Sequence, residues 1–346
     1  MIRARAVVIF EFNKPRKPKA LVYFTLPTNG YPLPRNNTRM RWRADDFSLR
    51  YHALFPAYSQ LPPALAYRLA AWHTPLFQRR KSQEATWVKQ QLQLTFPQAS
   101  DAQLQQWLDA YFQMQEYEAL DTWYLQHQPI QQLIQLQGFE AVKQARAQGQ
   151  RVLITSGHFG RYWLTGAAMR AQGLSTGTIT RDGGQENTHQ LHPAEFKYRL
   201  AKLQRLQQVL GGPFLVEGTD IRPLYRALDE HLIAIIFDVP YVKFHLGCVT
   251  VPFLQSTINL PAGIYRIAKR TKAVVAPFFM RDLGNGQVRA EFLSLLDPRD
   301  YNEISFMGIL ANMLEQRIRD NPEHWWLWAA LPMLRGHNNE SNRCFE

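Results

Sequence analysis

His158 stands in Gly157-His158-Phe159-Gly160-Arg161, directly after the apolar run RVLITS. A histidine on a glycine-flanked turn at a strand end can take a proton from an alcohol, because its ordinary pKa lies near neutrality. The plain alternative is a histidine that only hydrogen-bonds its own turn. Asp238 follows LIAIIF, and Arg181 follows STGTIT. Ligands of open α/β sheets lie beyond the carboxyl ends of the strands. If these three strands are neighbours, a base, a carboxylate and a cation meet at one edge. Arg161, three residues after the histidine, suits either that site or a structural ion pair. Ser156 precedes the histidine but lacks a Gly-x-Ser-x-Gly elbow, so a covalent serine intermediate is not expected.

The elements that must position these residues follow from pattern. RVLITSG, STGTITRD, LIAIIFDVP, AVVAPFFMRD and VRAEFLSLLDP read as strands. YWLTGAAMRAQG, FKYRLAKLQRLQQVLGG, PLYRALDEH and PAGIYRIAKRTK read as helices between them. Such alternation predicts an α/β fold: a mixed, largely parallel central sheet flanked by helices. Upstream, residues 84–148 read as helical and Gln-rich, with Ser100 or Asp101 as a cap. Residues 61–77 form a short helix after two prolines, with Leu65, Leu69, Trp72 and Leu76 along one face and QRRK beyond it. That pairing suits either a membrane interface or a core-facing helix with a solvated end. The expected organisation is an N-terminal extension (1–50), a helical, membrane-proximal region of the same domain (51–148), an α/β core (149–335) and a polar tail (336–346).

Composition narrows the partners. The chain has 346 residues, with Lys+Arg 40 against Asp+Glu 28 and a net charge of +12. This favours polyanions: an anionic membrane face, phosphate-rich substrates or nucleic acid. No nucleic-acid motif accompanies the charge, so nucleic acid is not the expected partner. Two cysteines, Cys248 and Cys344, exclude a disulfide scaffold and a zinc finger. The five-residue apolar run near the N-terminus is too short for a signal-peptide core. No stretch of about 20 residues is apolar enough for a transmembrane span.

From about Leu61 to Trp328 the sequence resembles the bacterial lipid A (Kdo-dependent) acyltransferases. LPPALAYRLAAW is similar to their opening helix, and QRRKSQEATWVKQQLQLTFPQAS to the stretch that follows. GQRVLITSGHFG resembles the strand leading to their catalytic histidine. ITRD, AIIFDVP and VTVPFLQSTINLPAGIYRIAKRTKAVVAPFFMR follow in the family's order, and ANMLEQRIRDNPEHWWLW resembles the closing helix. The resemblance implies a glycerolipid-acyltransferase-like fold without a cofactor. It implies a peripheral enzyme of the cytoplasmic face of the inner membrane. The fatty acyl group would pass from acyl carrier protein, or coenzyme A, to a hydroxyl of a membrane lipid or glycolipid. It carries the base role to His158 and a site role to Asp238, with Arg181 holding phosphate or the developing oxyanion.

Three departures stand out. The family's acid five residues after the histidine is replaced by Trp163. Asp182, Glu217, Asp220 or Asp238 could take its place, and Asp238 is favoured because it ends a core strand. The His/Arg-rich cluster after the closing tryptophan is replaced by Ala329-Ala330-Leu331-Pro332. Residues 1–50 stand where the family carries a membrane anchor. The missing acid motivates a second reading: a lipid- or carrier-binding protein without catalysis. Of the remaining features, the basic helices with Lys197, Arg199, Lys202 and Arg205, and with Arg266, Lys269, Arg270 and Lys272, suit either an acidic carrier and lipid phosphates or solvent. Trp325, Trp326 and Trp328 suit either a membrane interface or packing. His189 and His192, beside Glu186 and Glu195, are a weak metal signal, and no metal is expected.

Overall fold

A computed structural model describes residues 46–125, 129–180, 192–216, 220–240 and 247–335. Its centre is a seven-stranded sheet. In chain order the strands are β1 (Ile134–Gln137), β2 (Val152–Ser156), β3 (Thr176–Thr180), β4 (Gly211–Val216), β5 (Leu232–Ile236), β8 (Val274–Gly284) and β9 (Gln287–Phe292); β6 (Cys248–Phe253) and β7 (Ser256–Pro261) form a separate hairpin. The spatial order is β1-β9-β8-β2-β5-β3-β4, parallel throughout except for the antiparallel β8–β9 pair. The fold is therefore mixed α/β with a mostly parallel sheet, as the alternating pattern predicts.

β2 is buried at every position. A central parallel strand covered by helices on both faces has no wet side, so it reads as a continuous apolar run. Its side chains still alternate. Leu153 joins one core and Val152 and Ile154 the other. β8 divides likewise, Val275 and Phe279 against Ala276, Phe278 and Met280. Each such fully buried aliphatic side chain contributes about 1.5–3 kcal/mol of transfer free energy.

Helices of eight residues or more are α1 (Pro63–Arg80), α2 (Ser82–Thr95), α3 (Asp101–Tyr124), α4 (Glu140–Ala147), α5 (Leu164–Ala171), α6 (Pro193–Leu210), α7 (Arg222–Glu230), α8 (Gly263–Thr271) and α9 (Glu303–Asp320). Ser100 caps α3 by accepting the Gln103 amide. α3 spans both cores, with Leu104, Leu108 and Phe112 in one and Leu120 and Tyr124 in the other. Among the described residues, no helix is long and apolar enough to cross a membrane.

The structure corrects the sequence reading in three places. The stretch 84–148 is interrupted by β1, which pairs with β9 from the far end of the chain. β4 follows α6 where only a glycine pair was evident. The run VTVPFLQSTINLP folds into the β6–β7 hairpin, whose tip residues Leu254 and Gln255 both have positive φ. A two-residue hairpin turn needs that conformation, and glycine or asparagine usually marks it. Here the turn is held from outside instead: the Leu254 amide donates to the Glu315 carboxylate at 2.8 Å.

Candidate active site

The site grows out of strand register. β2 and β5 are parallel neighbours, and Ser156 at the end of one pairs with Ile236 at the end of the other. Two residues further along each strand come His158 and Asp238. Equal steps from a paired position bring the two side by side. The Asp238 Oδ1 lies 2.6 Å from His158 Nδ1, and both carboxylate oxygens accept the His158 backbone N–H at 2.9 Å. The indole Nε1–H of Trp325 donates to Oδ2 at 3.0 Å. Asp238 is fully buried, whereas the His158 side chain is 25% exposed.

This geometry sets the imidazole. An ionised carboxylate can only accept, so the ring nitrogen facing it carries the proton. The lone pair then sits on Nε2, the nitrogen turned away from Asp238. Among the described residues, Asp238 is the candidate acid that reaches His158. Asp182 and Glu217 lie outside the described residues, and Asp220 bonds Arg222.

Close approach requires glycine on this turn. A Cβ at Gly157 would lie 2.9 Å from Asp238 Oδ2 and from both Leu314 methyls. Gly160 has φ +62°. The segment after α9 binds the turn from the other side. Trp326 N donates to the His158 carbonyl at 2.9 Å, Gly160 N donates to the His324 carbonyl at 2.7 Å, and Trp326 Nε1 donates to the Gly160 carbonyl at 2.8 Å. Phe159 and Trp325 form a β-bridge.

Trp163, at the position of the absent acid, stacks on Tyr162, whose ring meets His158 edge-on at 5.8 Å. Burial holds the Tyr162 hydroxyl well above its ordinary pKa, so it stays protonated. The Lys202 amine, which burial pushes well below its ordinary pKa, sits 3.9 Å over the Trp163 ring and meets Glu118.

The expected cations fare differently. Arg161 is 2% exposed and points into the protein, where Asp121 pairs with its Nε at 2.9 Å and the Gly286 carbonyl accepts from Nη2 at 2.7 Å. Its guanidinium also lies 4.9 Å over the Tyr67 ring. Arg161 is therefore enclosed by protein partners behind the histidine turn. Arg199 is on the exposed side of α6 and pairs with Glu195 one turn away. Arg181 lies outside the described residues, as does His189; His192 caps α6. Among the described residues no group of three or more potential ligands could hold a metal. Ser156 is fully buried.

The family model for bacterial lipid A biosynthesis acyltransferases matches residues 47–330. The chain belongs to that family. The match takes in the helical layer, the whole sheet and the 322–328 segment. No curated protein matches the chain. In this family member the carboxylate at the histidine comes from the neighbouring strand, not from the histidine's own turn. Trp325 is the participant that sequence reasoning missed. Its signal was present in NPEHWWLW, but a tryptophan donor to a buried acid has no spacing rule. Trp325 and Trp328 are fully buried, so the membrane-interface alternative for them is excluded, while Trp326 is half-buried.

Proposed function

We propose that the chain transfers a fatty acyl group from a thioester, on acyl carrier protein or coenzyme A, to a hydroxyl of a lipid or glycolipid acceptor. His158 is the general base. The observation that carries this reading is the carboxylate 2.6 Å from Nδ1 with Nε2 directed away from it.

The acceptor hydroxyl gives its proton to His158 Nε2 as its oxygen attacks the thioester carbonyl. The oxyanion collapses, the C–S bond breaks, and the leaving thiolate takes the proton back from the imidazolium. Asp238 stays ionised throughout, holding the ring and stabilising its charged form. Proton transfer by a placed base contributes about 10²–10⁴ in rate. Arg181 is assigned to the acceptor's phosphate or the oxyanion, and Arg199 to charge on an incoming substrate. Arg161 is better assigned to holding the turn, because its guanidinium already has protein partners.

The surface of α1 supports a peripheral seat on an anionic bilayer. Trp72 is 75% exposed, Leu76 62% and Leu65 47%. Arg68, Arg79 and Arg80 are exposed beside them. An apolar stripe with flanking cations is what a membrane surface binds. The reading without catalysis was motivated by the acid missing at 163; the Asp238 carboxylate 2.6 Å from Nδ1 supports the catalytic one.

The test is His158→Ala assayed with acyl carrier protein and coenzyme A thioesters and lipid acceptors. Transfer should fall by about 10²–10⁴ with the fold intact. Full transfer by the variant would remove the base assignment.

A further inference from the structure

We propose that Trp325 is a positioning residue for His158, acting through Asp238. The proposal rests on the general-base reading above and adds a third member to the chain His158–Asp238–Trp325.

Asp238 is fully buried, so water does not complete its hydrogen bonding. Oδ1 accepts His158 Nδ1–H and shares the His158 backbone N–H. Oδ2 has the other share of that N–H and the Trp325 indole N–H at 3.0 Å. Without the indole, Oδ2 keeps only a bifurcated donor. A carboxylate so placed is underbonded, and such groups rotate or repack to recover a partner. Rotation moves Oδ1, and Oδ1 is what holds the ring.

Trp325 is itself held firmly. It is fully buried, with Phe253 at 5.5 Å and Trp328 at 5.0 Å, both in edge contact. Trp328 Nε1 donates to the Pro322 carbonyl at 2.6 Å, which fixes the segment that carries both rings. The β-bridge from Trp325 to Phe159 ties this segment to the histidine turn. The indole therefore meets Asp238 as a preset donor, not as a mobile one.

The electrostatic consequence has a sign. An N–H donor spreads the negative charge of the carboxylate it serves. Removing it leaves a more concentrated charge facing the ring, which favours imidazolium over imidazole. The acid limb of the pH–rate profile then moves to higher pH. A role limited to core packing lowers stability but leaves that limb in place.

The experiment compares Trp325→Phe with Trp328→Phe in the full chain, using the thioester and lipid assay above. Phe keeps an aromatic ring, smaller than the indole, and lacks the N–H; Trp328→Phe makes the same loss of volume nearby. In Trp325→Phe we expect kcat to fall about tenfold or more, as for loss of a hydrogen bond to a charged group, with KM little changed. The acid limb of kcat/KM should move to higher pH. Trp328→Phe loosens the same segment without touching Asp238, and its limb should stay in place. An unmoved limb in Trp325→Phe, or an equal shift in both variants, overturns the proposal. A measurement on the unsubstituted protein covers the case in which Trp325→Phe does not fold. The Trp325 indole N–H resonance should shift with pH over the same range as the acid limb of the pH–rate profile, and a flat response overturns the proposal. Full activity of His158→Ala would instead remove the base reading itself, so the two failures are distinguishable.

Discussion

His158 and Asp238 are eighty residues apart in sequence and 2.6 Å apart in space. What joins them is a parallel register, and what refines them is a set of directed donors. Asp238→Asn tests that arrangement with almost no change in volume. An amide has one acceptor oxygen where the carboxylate has two, yet three donors converge here: the His158 N–H, the Nδ1–H and the Trp325 indole. One donor must face the amide NH₂, and the ring can relieve that conflict by moving its proton to Nε2. A ring protonated at Nε2 cannot act as the base. We expect kcat to fall by about 10⁴, the size seen when a carboxylate partner of a catalytic histidine is neutralised. Assay of the folded variant checks this, and a fall of less than tenfold would mean that tautomer control is not the role of Asp238.

At the scale of elements, α3 carries much of the organisation. Glu116, Glu118 and Asp121 lie on it, all buried. Each meets a basic side chain from a different part of the chain: Arg50 before α1, Lys202 on α6 and Arg161 on the histidine turn. A buried pair adds little net stability, but breaking one leaves an uncompensated charge at a cost of about 3–5 kcal/mol. These pairs therefore resist sliding of α3 against the layers it joins. Asp121 also gives the fold a pH signature. Burial outweighs the attraction of Arg161 and raises its pKa from 3.8 to about 6. In the window between those values the folded state holds a proton that the unfolded chain releases. Stability from this group is thus gained as pH falls through the window and lost as pH rises through it. Thermal unfolding of the native protein and Asp121→Asn at pH 5 and pH 7 should reveal this. The native protein should gain more, or lose less, than the variant on going to pH 5; equal changes would remove Asp121 as the source.

For the molecule as a whole, the proposed peripheral seat places α1 against the bilayer. Its sequence stripe of Leu65, Leu69, Trp72 and Leu76 was compatible with a core face. In the fold, Ala66, Tyr67, Ala70, Thr74 and Phe77 take the buried side and leave Leu65, Trp72 and Leu76 exposed. Replacing Trp72 and Leu76 together by Ser should weaken binding to anionic vesicles by about 10²–10⁴, given about 1.5–3 kcal/mol for each large apolar side chain fully removed from water and tenfold for every 1.4 kcal/mol. Vesicle co-sedimentation measures it. Added salt should weaken the remaining binding through Arg68, Arg79 and Arg80. Unchanged binding by the double variant would move the membrane face elsewhere.

The sequence alone was enough for the α/β class, the strands that carry His158 and Asp238, and the family resemblance from the 61–77 helix to the closing tryptophans. These depend on local periodicity and on residues at strand ends, both written along the chain. Tertiary structure decided the rest. Arg161 had two readings, and packing against Asp121 took it away from the ligand side. Trp325 became a donor to Asp238 only because the segment after α9 folds back onto the histidine turn. The β6–β7 hairpin is not legible in the sequence because its turn residues, Leu254 and Gln255, adopt a backbone that their side chains disfavour and that Glu315 stabilises from 61 residues beyond Leu254. Short-range pattern records which side chains a strand or helix will bury; only the assembled sheet settles which buried polar groups meet, since that follows from register and layer contacts between distant segments.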